Sequence, residues 1–263
     1  MQRITSRNHP LVVRARAIAR GRDPGLLLDG VHLVAEALAA NRAVESAIVA
    51  AADASRADLR TILTKLARAN VPVFTATAPV MEAVSPVKSP SPIVALTTRP
   101  MWAVDTVFAR RPPLVVIASG VQDPGNVGAI VRVAEAAGAS GVLVCASSAD
   151  PFGWKAVRGS MGSVLRVPIR AVASPLDAIA EARRHGCHVI ASVAHRGRSL
   201  FDVDLTGPLA VLIGGEGAGL DPALISAADE RVTVPMQPPV ESLNAAAATA
   251  VILYEAKRQR TGS

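Results

Sequence analysis

The stretch "LVVIASGVQDPGNVGAIVRVAEAAGASGVLVCA", residues 114–146, decides the architecture. An aliphatic run, LVVIAS, leads into a polar turn with Asp123, Pro124 and Gly125. An alanine-rich segment then sets Ile130, Val131, Ala134 and Ala137 at helical spacing before a second aliphatic run, GVLVCA. Continuous apolar runs of this kind read as strands buried on both faces, and a helix between two of them makes the strands parallel. Pro124 and Gly125 reverse the chain, which puts Asn126 at the helix N-cap. Arg132 lies almost two turns into the helix, at the spacing of an ordinary ion pair with Glu135.

The alternation continues outward. Strands are expected in HVIASV, LAVLIGG and RVTVP, with helices at about 174–185, 221–227 and 243–259. Residues 11–98 carry a shorter rhythm: LLLDG, VESAIVAA, VPVFTAT and SPIVALT as strands, with helices through Val34, Ala37 and Leu38 and through Leu59, Ile62, Leu63 and Leu66. RPMWAVDTVFARRPP, with three prolines, interrupts the pattern. The reading is therefore an α/β chain of two domains, residues 1–98 and 113–263, joined by a linker at 99–112.

Composition narrows the function. The chain has 263 residues, half of them hydrophobic but only 3% aromatic, so its core is aliphatic. Against 28 Lys and Arg stand 21 Asp and Glu, and the net charge of +7 points to an anionic partner such as nucleic acid. Arg3, Arg7, Arg14, Arg16, Arg20 and Arg22 precede Gly25 with only Asp23 to offset them. Such a segment suits a phosphate backbone, and equally a solvated helix face. Cys145 and Cys187 fall in or beside apolar stretches without motif spacing, as reduced cytosolic thiols do. The first residues, MQRITSRNHP, lack a signal-peptide core, and no apolar run has the length of a membrane span, so a cytoplasmic protein is expected. In HGCHVI, His185, Cys187 and His188 run into a strand with no carboxylate partner in the sequence, and no metal site is expected.

Two further constellations end in polar tips. In LAVLIGGEGAGLDP, residues 209–222, a strand ends in four glycines around Glu216. It lacks both the Lys-Ser/Thr of a Walker loop and the G-x-G-x-x-G spacing, which argues against phosphate-loop and dinucleotide enzymes. In VTVPMQPPVESLNAAAATAVILYEAKR a strand ends at Pro235, and Ser242 is placed to cap a long helix carrying Leu243, Val251, Ile252 and Tyr254. Polar tips on several strands of one parallel sheet point to one shared site.

NVGAIVRVAEAAGA, IGGEGAGL and VPMQPPVESLNAAAATAVILYE, in that order, resemble the three signature motifs of the SpoU/TrmH branch of the SPOUT RNA 2′-O-ribose methyltransferases. KAVRGSMGSVLRVPI, residues 155–169, resembles the family's intervening segment. ITSRNHPLV, LLLDGVHLVAEAL and SPIVAL are similar to the ribosomal-protein-like RNA-binding domain that precedes the catalytic one in rRNA-modifying members. The resemblance implies a C-terminal trefoil knot, a homodimer, and S-adenosylmethionine held by Gly214, Val234 and Leu243. It also implies 2′-O-methylation of rRNA, 23S rRNA above tRNA, through Arg132 with Asn126, Glu216, Ser242 and Asn244. Arg7, Arg14 and Arg158 are the expected RNA contacts. Pro238-Pro239 and Ala245 to Ala247 depart from the family pattern, in which many members have a glycine and small polar residues at the first position and Val-Ser-Val at the second. The rival reading is a non-catalytic RNA-binding or ribosome-assembly protein on the same fold.

Overall fold

The computed structural model describes residues 1–217 and 219–262. In chain order these form β1 (Gln2–Ile4), α1 (Pro10–Ala19), β2 (Gly25–Asp29), α2 (Val31–Ala39), β3 (Val44–Ala50), α3 (Ala57–Arg68), β4 (Val73–Ala76), α4 (Ala78–Val84) and β5 (Ile93–Thr98). There follow α5 (Val104–Val107), β6 (Leu114–Ser119), α6 (Pro124–Ala137), β7 (Gly141–Cys145), α7 (Trp154–Gly159), β8 (Ile169–Val172), α8 (Pro175–Arg184), β9 (His188–Ser192) and β10 (Arg198–Ser199). Then come β11 (Leu209–Gly214), α9 (Pro222–Ala227), β12 (Glu230–Thr233) and α10 (Ala245–Thr261).

The chain divides into two compact units, residues 1–100 with 152–166, and residues 101–151 with 167–263. This corrects the expected partition twice. The stretch 99–112 is no open linker, since α5 lies within it and Val107 and Phe108 are fully buried in the core of the second unit. Residues 152–166 leave the second unit's sequence and pack into the first. Trp154 lies against the first unit's core, Arg42 Nε donates to Leu165 O at 2.7 Å, Arg166 pairs with Glu36, and Arg158 Nη1 lies 3.6 Å from the buried Asp29 carboxylate.

The first unit is a mixed sheet in the order β1-β4-β3-β5-β2, with β5 antiparallel to both β2 and β3. Leu27, Ile48, Val94 and Leu96 pack with Val12, Ala15 and Ile18 of α1 and with Val80, Met81 and Val84 of α4. Leu26 and Leu28, which point the other way, are equally buried, so both faces are covered.

The second unit is a parallel sheet in the order β10-β12-β9-β11-β6-β7-β8. On one face Val115, Ile117, Leu143, Val189 and Leu212 pack with Ala178, Ile179 and Ala182 of α8. Val116, Val142, Ile190 and Val211 alternate with them and are just as buried. Ile130, Val131 and Ala134 of α6 and Ile252, Leu253 and Ala256 of α10 are buried as well, and the two helices pack together. Strand order reverses between β6 and β11, and there the backbones crowd. A Cβ added at Gly215 would overlap the carbonyl oxygen of Gly120, and one at Gly214 would come within 2.5 Å of the Gly219 backbone. Ligands of open α/β sheets bind at this reversal, beyond the carboxyl ends of the strands. Among the described residues no helix is long and apolar enough to cross a membrane.

Candidate active site

At that edge lies a cavity of about 420 Å³, formed by the ends of β9, β11 and β12 and the start of α10. Parallel strands bring it about, because their carboxyl ends all emerge on one side and their loops meet there. Gly214, Glu216, Val234, Ser242, Leu243 and Asn244, each singled out from sequence, all line it. Ser192, Val193, Ala194, Leu220, Ile225 and Met236 also line it and were not foreseen. Leu220 and Met236 fall within the second and third quoted motifs, whereas no motif marks Ser192, Val193, Ala194 or Ile225; for the first three the signal was that β9 ends at Ser192 in a parallel sheet.

Two capping expectations need correction. The N-cap of α6 is Asp123, whose Oδ1 accepts from Asn126 N at 3.0 Å, so Asn126 lies inside the first turn. With Pro124 as the first helical residue, Asp123 is left to satisfy the orphan amides. This frees the Asn126 side chain, whose Nδ2 donates to Glu216 Oε1. The cap of α10 is Asn244, not Ser242: Asn244 Oδ1 accepts from Ala246 N at 2.9 Å and Ala247 N at 3.3 Å. Asn244 Nδ2 in turn donates to Asn126 Oδ1 at 3.0 Å. A chain Asn244, Asn126, Glu216 thus joins the loops after β12, β6 and β11. Each amide uses donor and acceptor together, which fixes its orientation. Behind it, Ser147 Oγ accepts from Gly120 N at 3.0 Å and Ser148 Oγ from Val121 N at 3.2 Å, holding the turn after β6.

Arg132 is not brought to the cavity lining. It stands exposed on α6 and makes no hydrogen bond or ion pair with any described residue, so the ordinary pairing with Glu135 does not form. Leu243 is 39% exposed at the cavity mouth, ahead of the helix expected to carry it, and Val251 and Tyr254 are also exposed on α10. Of the expected RNA contacts, Arg7 pairs with Glu82 at 3.3 Å, Arg14 with Glu45 and with Asp23 at 3.4 Å, and Arg158 with Asp29. The histidines of HGCHVI do have carboxylates nearby: His185 Nε2 lies 3.1 Å from Glu181, and His188 Nε2 3.5 Å from Glu230. Burial pushes the Cys145 and Cys187 thiols up to about 11, which keeps them protonated and inert near neutrality.

The fold and its glycine-built cavity define a two-unit α/β protein with a candidate small-molecule site at the switch point of a parallel sheet. The model of the SpoU rRNA Methylase family matches residues 113–254, and the chain belongs to that family. It is 32% identical over 98% of its length, and 94% of the relative's, to an uncharacterized tRNA/rRNA methyltransferase of Synechocystis. It is 33% identical over 89% of its length, and 96% of the relative's, to a Burkholderia 23S rRNA (guanosine-2′-O-)-methyltransferase, RlmB. The crystal structure of the SpoU methyltransferase AviRb from Streptomyces viridochromogenes in complex with AdoMet matches with a TM-score of 0.84 at 30% identity, over 97% of this chain and all of that one.

Proposed function

We propose that the protein transfers the methyl group of S-adenosylmethionine to a ribose 2′-hydroxyl of 23S rRNA, acting as a cytoplasmic homodimer. The observation that carries this is the cavity, which gathers every residue that the family motifs assign to the cofactor, Gly214, Val234 and Leu243, with Glu216, Ser242 and Asn244. Its volume suits a nucleoside bearing an amino-acid tail. Gly214 and Gly215 let the loops that wall the cavity close on one another, where any Cβ would collide with the backbone of Gly219 or Gly120. The bound cofactor supplies a methyl group already activated on a sulfonium. The protein is left to align the hydroxyl oxygen behind that carbon, about 3 Å away, and to ease loss of its proton.

Arg132 takes the electrostatic role. A guanidinium stays protonated and is a poor base, so it binds the hydroxyl or the neighbouring phosphate and stabilises the developing alkoxide, while the proton leaves to phosphate or water. The Asn244, Asn126, Glu216 chain orients the rim, and Ser242 offers a hydroxyl to the ribose or to the arginine. Since Arg132 stands outside its own cavity, it serves the cavity of a second copy. The exposed Ala247, Val251 and Tyr254, spaced along one side of α10, supply an apolar stripe for that contact. The segment from Val234 to Asn244 completes the family's trefoil knot. Arg7, Arg14 and Arg158 contact RNA through donors beyond those used in their intramolecular pairs.

The test is incubation with methyl-tritiated S-adenosylmethionine and unmodified 23S rRNA or tRNA in parallel, followed by mapping of alkali-resistant linkages. Label is expected in 23S rRNA, and Arg132→Ala is expected to lower turnover about 10²- to 10³-fold with cofactor affinity retained. Near-normal turnover in Arg132→Ala overturns its role, and absence of both label and cofactor binding returns the protein to the non-catalytic reading.

A further inference from the structure

Resting on that reading, we propose that a second cleft in the catalytic unit, centred on Arg196 and Arg231, binds the phosphodiester backbone of the substrate RNA beside the cofactor cavity. The cleft encloses about 400 Å³ and is lined by Arg196, Arg198 and Arg231 together with Asp229 and Glu230. The carboxylates are already engaged. Asp229 accepts from Arg183 Nη2 at 2.6 Å and from Val189 N at 2.7 Å, while Glu230 faces Arg198 at 3.3 Å and His188 at 3.5 Å. Arg196 and Arg231 are exposed and make no hydrogen bond or ion pair with any described residue. Two unspent guanidiniums in a polar cleft form an anion site, and a phosphate can take two N–H donors from each.

Its position ties it to the reaction. Ser192, Val193 and Ala194 line the cofactor cavity, Arg196 follows two residues later, and Ile225 lines both cavities. The intervening loop is held firmly. Gly197 N donates to Thr233 Oγ1 at 3.0 Å, and a Cβ on Gly197 would lie 2.8 Å from the Val232 carbonyl carbon, so the loop sits directly on β12. Arg196 itself adopts φ +60°, a left-handed backbone that arginine seldom takes, and thereby faces the cleft next to Arg231 of β12. Phosphate contacts of this type set register and carry no sequence information, so the cleft would hold the strand flanking the target nucleotide.

The experiment compares wild type, R196A/R231A, the charge-keeping R196K/R231K, and R170A. Arg170 is exposed on β8, at the opposite edge of the same sheet, and controls for loss of bulk charge. Affinity for transcribed 23S rRNA is measured across salt concentrations, S-adenosylmethionine affinity by calorimetry, and folding by thermal melting. The expected result for R196A/R231A is a fall in RNA affinity of about tenfold at physiological salt, with the slope of log K against log salt reduced by roughly 1.5. Cofactor affinity and melting stay unchanged, R196K/R231K recovers most of the loss, and R170A has little effect. RNA affinity and slope equal to wild type in R196A/R231A, or an equal loss in R170A, overturn the cleft. Methyl transfer persisting alongside that result leaves the proposed function standing. Arginine-dependent RNA binding without methyl transfer upholds the cleft and removes the enzymatic reading.

Discussion

The two units are both sheets covered by helices, and the cofactor cavity lies at the strand ends of the second. In the first unit β1, β4, β3 and β2 run one way and β5 alone is reversed, so one strand end and its loop fall on the side opposite to the other four. In the second all seven strands run one way, and the loops after β6, β9, β11 and β12 converge. Both cores are built from the same valine, leucine, isoleucine and alanine, so composition does not tell the units apart; the reversal of strand order between β6 and β11, where glycine backbones crowd, is what marks the site.

Glycines give the sharpest break of this comparison. Gly215→Ala, where a Cβ meets the Gly120 carbonyl across the β6–β11 seam, is expected to cost about a hundredfold or more in S-adenosylmethionine affinity by calorimetry. Gly25→Ala in the first unit meets mainly movable side-chain ends, Ile18 Cδ1 at 2.7 Å and Asp23 Oδ1 at 2.9 Å, and should leave cofactor affinity untouched. Equal losses from the two would contradict the localisation of the site.

A smaller effect tests how the last helix is anchored in the second unit. Arg260 donates to the backbone carbonyls of Leu205 at 2.9 Å and Gly207 at 2.5 Å, and also reaches Pro112 and Pro113. Arg260→Ala is expected to destabilise the protein by about 2 kcal/mol in denaturant melts, through charge-assisted bonds lost from carbonyls that remain. Asn244→Ala removes the α10 cap and the bond to Asn126. It should cost about 1 kcal/mol in stability and, unlike a mere cap change, should also lower methyl-transfer turnover; retained turnover would reduce Asn244 to a cap.

The smallest expected effect depends on pH. Hydrogen bonds from Arg258 and then Gln259 hold the Glu255 carboxyl down at about 2, below its ordinary 4.5. A folded pKa below the unfolded one means that this stabilisation is complete above about pH 4.5 and is lost as pH falls toward 2. Glu255→Gln should therefore flatten the stability profile in that window alone, and an unchanged profile would remove the carboxylate from the acid response.

The sequence by itself determined the alternation of strands and helices, the parallel character of residues 114–233, and the polar tips that would share a site, because periodicity and glycine placement are local signals. Helix caps were less legible. Asp123 and Asn126, like Ser242 and Asn244, are all acceptable caps, and only the placement of Pro124 and the path of the loop after β12 selected between them. Tertiary structure alone decided that residues 152–166 belong with the first unit, that α5 is core, and that Arg7 and Arg14 have carboxylate partners, since each depends on contacts between residues distant in sequence. It also separated the arginines already paired from those left unpaired. Composition counts charges, whereas only the fold shows that Arg132, Arg196 and Arg231 have no partner among the described residues.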